Sequence, residues 1–200
     1  MKEKMAEGET GLTFRNDCFP VIMTPRLILR NLSRDDGPYL HEIWTDPAVL
    51  EFMVLDPFET YEETHAMIDL LEGLYEKGEG IRWAITSASD GAVMGTCGFH
   101  NWKREHSRAE AGYELGKDFW GKGYMKEALS AVLEYGFVNM DLNRIEAFVN
   151  DGNEKSLGLL QSLEFKTEGL LRHYEWARGK FQDQWVCSLL RSENSLRGCA

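Results

Sequence analysis

Cysteine, positive charge and long apolar runs are all scarce in this 200-residue chain, and each shortage removes an explanation. The four cysteines, Cys18, Cys97, Cys187 and Cys199, form no C-x-x-C pair, and none has a histidine at metal-ligand spacing. A disulfide framework and a metal site are therefore not expected, and the thiols read as reduced groups of a cytoplasmic protein. Lysine and arginine number 22 against 33 acidic residues, a net charge of −11. That balance argues against a general nucleic-acid binder, fits a soluble enzyme, and does not repel a basic peptide. No stretch approaches the roughly 18 apolar residues that cross a bilayer. The opening "MKEKMAEGETGLTF" lacks the apolar heart of a secretory leader. Neither membrane insertion nor export is expected.

What is present is a core. The hydrophobic share is 43%, with six tryptophans, enough for one packed domain of this length. There are no repeats, low-complexity tracts or linkers. Residues 1–20 and 192–200 read as mobile ends around a domain at 21–191. "RLILRNL" (26–32) reads as a strand. Ser33 and Asp36 make a capping box for a helix through "SRDDGPYLHEIW", "DPAVLEFM" adds a further helical turn, and Thr60 and Glu63 cap a longer helix. "IRWAITSA" (81–88) and "AVMGTCGFHNW" (92–102) form a hairpin. "AEAGYEL" (109–115) alternates as a half-buried strand that exposes Glu110 and Glu114 on one face, toward a polar substrate. A helix follows from Tyr124, a strand at 143–150, a helix at 153–163 with Asn153 as N-cap, and two closing strands that turn at Arg178–Gly179. The fold class is α+β, in the order β-α-α-β-β-β-α-β-α-β-β.

The segment "GKDFWGKGYMKEA" (116–128) carries the sharpest signal. It matches the nucleotide-binding pattern G-x-x-x-x-G-K, except that Gly123 stands where Ser or Thr would hold Mg²⁺. The strand before it alternates, whereas a P-loop strand is normally apolar on both faces. Glycines at 121 and 123, Lys117, Lys122 and a helix N-terminus near Tyr124 still suit an anion such as a pyrophosphate. A glycine-rich turn that merely joins strand to helix explains the same residues.

The blocks "AEAGYELGKDFWGKGYMKEAL" and "NRIEAFVNDGNEKSLGLLQSLEFKTEG", with "TPRLILRNLSRDD", "WTDPAVLEFM" and "HYEWARGKFQDQWVCSLL", resemble the GNAT acetyltransferases. They are most similar to the ribosomal-protein N-terminal acetyltransferase (RimJ/RimL-like) branch, over about residues 20 to 191. The resemblance implies a mixed sheet whose middle strands splay around acetyl-CoA, with no metal. It assigns the pyrophosphate to Phe119, Trp120, Gly121, Lys122, Gly123 and Tyr124, although Asp118 replaces the Gln or Arg that usually leads this loop. It assigns backbone contacts with the pantetheine arm to Tyr113, Glu114 and Leu115, and places Asn153 and Ser156 at the family's N-x-x-S. There Asn153 touches the cofactor arm and Ser156 is the general acid near the sulfur; helix capping by the pair is the alternative.

Acetyl transfer to an amine also needs a base, and a carboxylate working near neutral pH wants a raised pKa. The resemblance points to Glu175, with Tyr174 and Trp176 as an apolar wall; Glu110 and Glu114 are the alternatives. His100 and His173 lie near the expected cleft as proton relays or as structural histidines, and Asp183 is a substrate contact or a strand hydrogen bond. The implied reaction moves acetyl to a primary amine by direct attack in a ternary complex. The acceptor is a protein N-terminus of the ribosomal type, or a small amine such as an aminoglycoside or polyamine, and a homodimer is open. A coenzyme A-binding protein without turnover and a nucleotide hydrolase are the competing classes.

Overall fold

The computed structural model describes residues 18–194. An eight-stranded sheet is built from β1 (Ile22–Met23), β2 (Leu27–Asn31), β3 (Ile81–Ser87), β4 (Val93–Lys103), β5 (Arg108–Leu115), β6 (Arg144–Asn150), β7 (Lys166–Ala177) and β8 (Lys180–Leu190). Its spatial order is β1-β2-β3-β4-β5-β6-β8-β7. Neighbours run antiparallel except β5 and β6, which are parallel. The two-residue β1 is too short to leave a periodic pattern, and it alone extends the expected strand order.

The helices are α1 (Gly37–Thr45), α2 (Pro47–Leu50), α3 (Tyr61–Lys77), α4 (Tyr124–Val138) and α5 (Glu154–Ser162). Both expected capping boxes form. Ser33 and Asp36 cap a single 3-10 turn ahead of α1, and Thr60 with Glu63 opens α3. In the second box the backbone N–H groups of Glu59 and Thr60 hold the Glu63 carboxyl below its ordinary range.

Two apolar clusters sandwich the sheet. Trp83, Ile85, Phe99, Ile145 and Cys187 pack with Leu129, Leu133 and Phe137 of α4 and Leu160 of α5. On the opposite face Ala84 and Val93 meet Leu40, Ile43 and Trp44 of α1 and Ile68 of α3. This explains why β3 is buried almost end to end: alternate side chains serve opposite cores.

Residues on either side of 21–191 also make contacts. Phe19 meets Tyr75 and Trp83 edge-on, and Trp83 Nε1 donates to the Pro20 carbonyl over 2.8 Å. At the other end Asn194 is buried and Glu193 pairs with Lys166. The rest of the two expected mobile ends, residues 1–17 and 195–200, lies outside the described residues.

Candidate functional site

The sheet opens where the only parallel pair of strands among the described residues parts. β5 and β6 are in register at Arg108–Arg144, Ala109–Ile145 and Glu110–Glu146, and the pairing stops there. β5 continues to Leu115 on β4, and β6 to Asn150 on β8. Ala111–Leu115 and Ala147–Asn150 therefore face a gap with strand edges on both sides. Peptide groups on such edges need partners, and an extended chain carrying amides supplies them.

The glycine loop lies at the mouth of this gap. After a 3-10 turn at Lys117–Phe119 the chain passes Gly121 and Gly123, at φ 71° and 77°. These left-handed values suit glycine, and a Cβ added at Gly121 would meet nothing within 4 Å. Gly123 is the N-cap of α4 and contributes no side-chain cap. The first-turn amides of the helix, Tyr124 to Lys126, thus lack intrahelical acceptors. Open space, uncapped amides and Lys122 fit a diphosphate.

Trp120 ties the loop to the gap. Its Nε1 donates to the Leu115 carbonyl over 2.7 Å, and Lys155 of α5 sits 4.6 Å from its ring centre. The Leu115 carbonyl thus already accepts one hydrogen bond, with a second lone pair left. Phe119 meets Tyr124 edge-on.

Tyr113 and Ser156 meet across the gap, with the two hydroxyls 2.7 Å apart. Burial pushes the Tyr113 phenol up to about 12, against a smaller downward pull from Ser156. Asn153 caps α5 by accepting the Ser156 backbone N–H over 3.1 Å. The capping reading thus holds for the Asn153 side chain, and the Ser156 hydroxyl is not used in it.

The carboxylates come out differently from the sequence reading. Glu114 is buried, not exposed toward a substrate. It pairs with Arg82, and Thr96 and Trp44 Nε1 donate to its other oxygen. Arg82 also donates to Thr96 Oγ1 over 2.7 Å. Glu110 lies 3.0 Å from His100 Nε2 and accepts from Asn101 Nδ2 over 2.9 Å. Burial pulls its pKa upward, but His100, Asn101 and Arg108 outweigh that and hold it below the usual range. The raised pKa wanted of a base is therefore not found at Glu110.

Glu175 is half-buried on β7 opposite Gln182 and has no hydrogen bond or ion pair among the described residues. The aromatic neighbours are engaged elsewhere, and the strand is irregular between Leu171 and Glu175, where His173 has a φ of 52°. Tyr174 stacks on Phe148, and Trp176 packs on Phe181. His173 stacks on Phe181, and its backbone N–H donates to Asp183 over 2.7 Å. Asp183 thus makes the strand hydrogen bond.

The sequence reading missed the groups that close the site from above. The segment from α2 to α3 crosses to the far wall, where Asn150 Nδ2 donates to the Phe52 carbonyl over 2.9 Å and receives support from Gln184. Arg178, at the β7–β8 turn, donates to the carbonyls of Leu50, Met53 and Leu55. Arg178 had been read only as a turn residue. No sequence pattern reports a guanidinium that serves main-chain carbonyls more than 120 positions away.

Comparison with known proteins follows the same lines. Residues 26–166 match the family model described as Acetyltransferase (GNAT) domain. The uncharacterized N-acetyltransferase p20 of Bacillus licheniformis is 41% identical over 172 residues, covering 86% of this chain and 97% of the relative. YdaF of Bacillus subtilis (strain 168), whose name provisionally assigns it ribosomal N-acetylation, is 34% identical over 104 residues, covering 52% and 57%. The spermidine N(1)-acetyltransferase of Escherichia coli (strain K12) is 26% identical over 155 residues, covering 78% and 81%.

Proposed function

The chain belongs to the GNAT acetyltransferase family, and on that premise we propose that it moves acetyl from acetyl-CoA to a primary amine, the N-terminal amine of a protein. The observation that carries this reading is the gap beyond the Glu110–Glu146 register, with an uncapped helix and two left-handed glycines at its mouth. Acetyl-CoA supplies an activated thioester. The loop from Phe119 to Tyr124 holds its pyrophosphate, and the free strand edges of β5 and β6 take the amides of its arm. Tyr113, Glu114 and Asn153 contribute as the frame of that slot.

The amine attacks the thioester directly. Burial pushes the Cys97 thiol up to about 12 and raises that of Cys187, so neither offers a thiolate to carry acetyl covalently. With Tyr113 as the donor of the hydroxyl–hydroxyl hydrogen bond, the Ser156 proton is free for the departing sulfur. Glu175, unpaired and half-buried, takes the amine proton. Glu110 and Glu114 are committed to His100 and Arg82.

Replacing Ser156 by alanine tests the acid. The α5 cap survives, because it uses the Ser156 backbone N–H. General acid–base groups contribute typically 10²–10⁴-fold, so kcat should fall about a hundredfold while the acetyl-CoA dissociation constant stays within about threefold. An unchanged rate would remove Ser156 from the chemistry.

The protein-terminus reading is supported by the likeness to YdaF; the spermidine relative favours a polyamine acceptor instead. Rates on ribosomal N-terminal peptides and on spermidine, measured side by side, decide between them. Faster turnover of the polyamine would overturn the protein assignment.

A further inference from the structure

Arg26 lies almost a hundred residues before the glycine loop, yet its side chain sits against it. Nη1 donates to the Lys122 carbonyl over 3.0 Å, and the guanidinium covers the Tyr124 ring with its carbon 4.5 Å from the centre. Nε donates to Glu127 Oε2 over 2.6 Å. The other oxygen of Glu127 accepts from the Arg26 backbone N–H over 2.9 Å and from Thr24 Oγ1 over 2.7 Å. Every oxygen of that carboxylate is thus engaged. Burial raises the Glu127 pKa, but Thr24 and Arg26 together hold it below its ordinary range. The remaining nitrogen, Nη2, has no acceptor among the described residues and lies 3.5 Å from where a Cβ at Gly123 would stand.

This arrangement solves two problems that an anion at the loop would face. Glu127 is an acidic group in the first turn of α4, favourable to the helix dipole but repulsive to a bound diphosphate. The Lys122 carbonyl is a second source of negative potential at the same place. Arg26 engages both and still has a donor, Nη2, beside Gly123. A planar guanidinium fixed by one carboxylate is suited to present its other edge to phosphate oxygens.

We propose that Arg26 is part of the pyrophosphate site, a cation supplied by the strap between β1 and β2 that Thr24 and Glu127 hold in place for the phosphate. The inference rests on the acetyl-CoA reading above. It extends the site to a residue outside the loop, and it gives the strap a task besides completing the sheet.

The test compares two ligands in calorimetric or chemical-shift titrations of the full chain: coenzyme A, which carries the diphosphate, and S-acetylpantetheine, which does not. Arg26→Gln should weaken coenzyme A about tenfold, the scale of one partly exposed charge-assisted contact, and leave S-acetylpantetheine within about twofold. Arg26→Lys, which keeps the charge and loses the fork, should fall between. Equal loss for both ligands would make Arg26 a structural tie only, and no loss for either would place the phosphate elsewhere; both overturn the proposal. If the wild-type chain itself fails to bind coenzyme A, the acetyl-CoA reading falls, and Arg26 with it.

Discussion

Gly123→Asp is expected to raise the dissociation constant for acetyl-CoA by about a hundredfold or more. Gly123 combines three constraints at one position. Its φ of 77° is left-handed, it opens α4, and a Cβ added there would stand 3.5 Å from Arg26 Nη2. Aspartate tolerates the left-handed region better than most residues, so strain is the smaller part. The larger part is charge: a carboxylate here neutralises Arg26 and occupies the place of the anion, and like-charge juxtaposition at a binding site costs several kcal/mol. Each 1.4 kcal/mol is about tenfold in affinity. Gly123→Ala, which adds bulk and strain without charge, should lose about tenfold or less. If the aspartate variant binds as the wild type does, the loop does not hold the pyrophosphate.

The second large effect is on stability. Arg82→Met should lower the thermal midpoint by about 10 °C. The Arg82 and Glu114 side chains are only 10% and 6% exposed, and removing one partner leaves the other charge buried and unpaired. Such losses run to about 3–5 kcal/mol, and in a chain of this size each kcal/mol moves the midpoint by about 2–4 °C. Replacing both partners together, as Arg82→Met with Glu114→Leu, should recover much of the loss, because no charge is then stranded. A single variant as stable as the wild type would mean that water reaches the pair. A double variant no better than the single would assign the cost to packing around Trp44 and Thr96.

Much of this architecture was legible in the sequence because it is written locally. Thr60 and Glu63, three residues apart, announce the start of α3; alternation from Ala109 to Leu115 announces β5; Asn153 caps α5 as its place implies. The glycine loop was legible for the same reason, since its features are contiguous. What failed to show were pairings across the sheet. Alternation puts Glu110 and Glu114 on one face but does not say whether water or Arg82 meets them. A signal was available: Arg82 stands between Ile81 and Trp83 in "IRWAITSA", where a lone charge among apolar neighbours asks for a buried partner. Arg26 and Arg178 left no such mark. Arg26 pairs with Glu127 a hundred residues on, and the other acceptors of the two are main-chain carbonyls of the glycine loop, of Leu50 at the end of α2 and of the segment after it; any residue type presents a carbonyl.

The base was the least legible part. Its pKa depends on which groups surround a carboxylate in three dimensions. His100 and Asn101 reach Glu110 through the β4–β5 pairing, and Tyr174 and Trp176 are taken up by Phe148 and Phe181. Sequence adjacency suggested a wall, but the partners of these rings come from β6 and β8.

The central claim is that the gap between β5 and β6, with the glycine loop at its mouth, binds acetyl-CoA. Calorimetric titration of the purified chain with acetyl-CoA, and separately with Mg-ATP, tests it most directly. The account predicts a saturable one-site isotherm in the micromolar range for acetyl-CoA and no heat of binding for Mg-ATP. Binding of Mg-ATP without acetyl-CoA, or of neither, would contradict it.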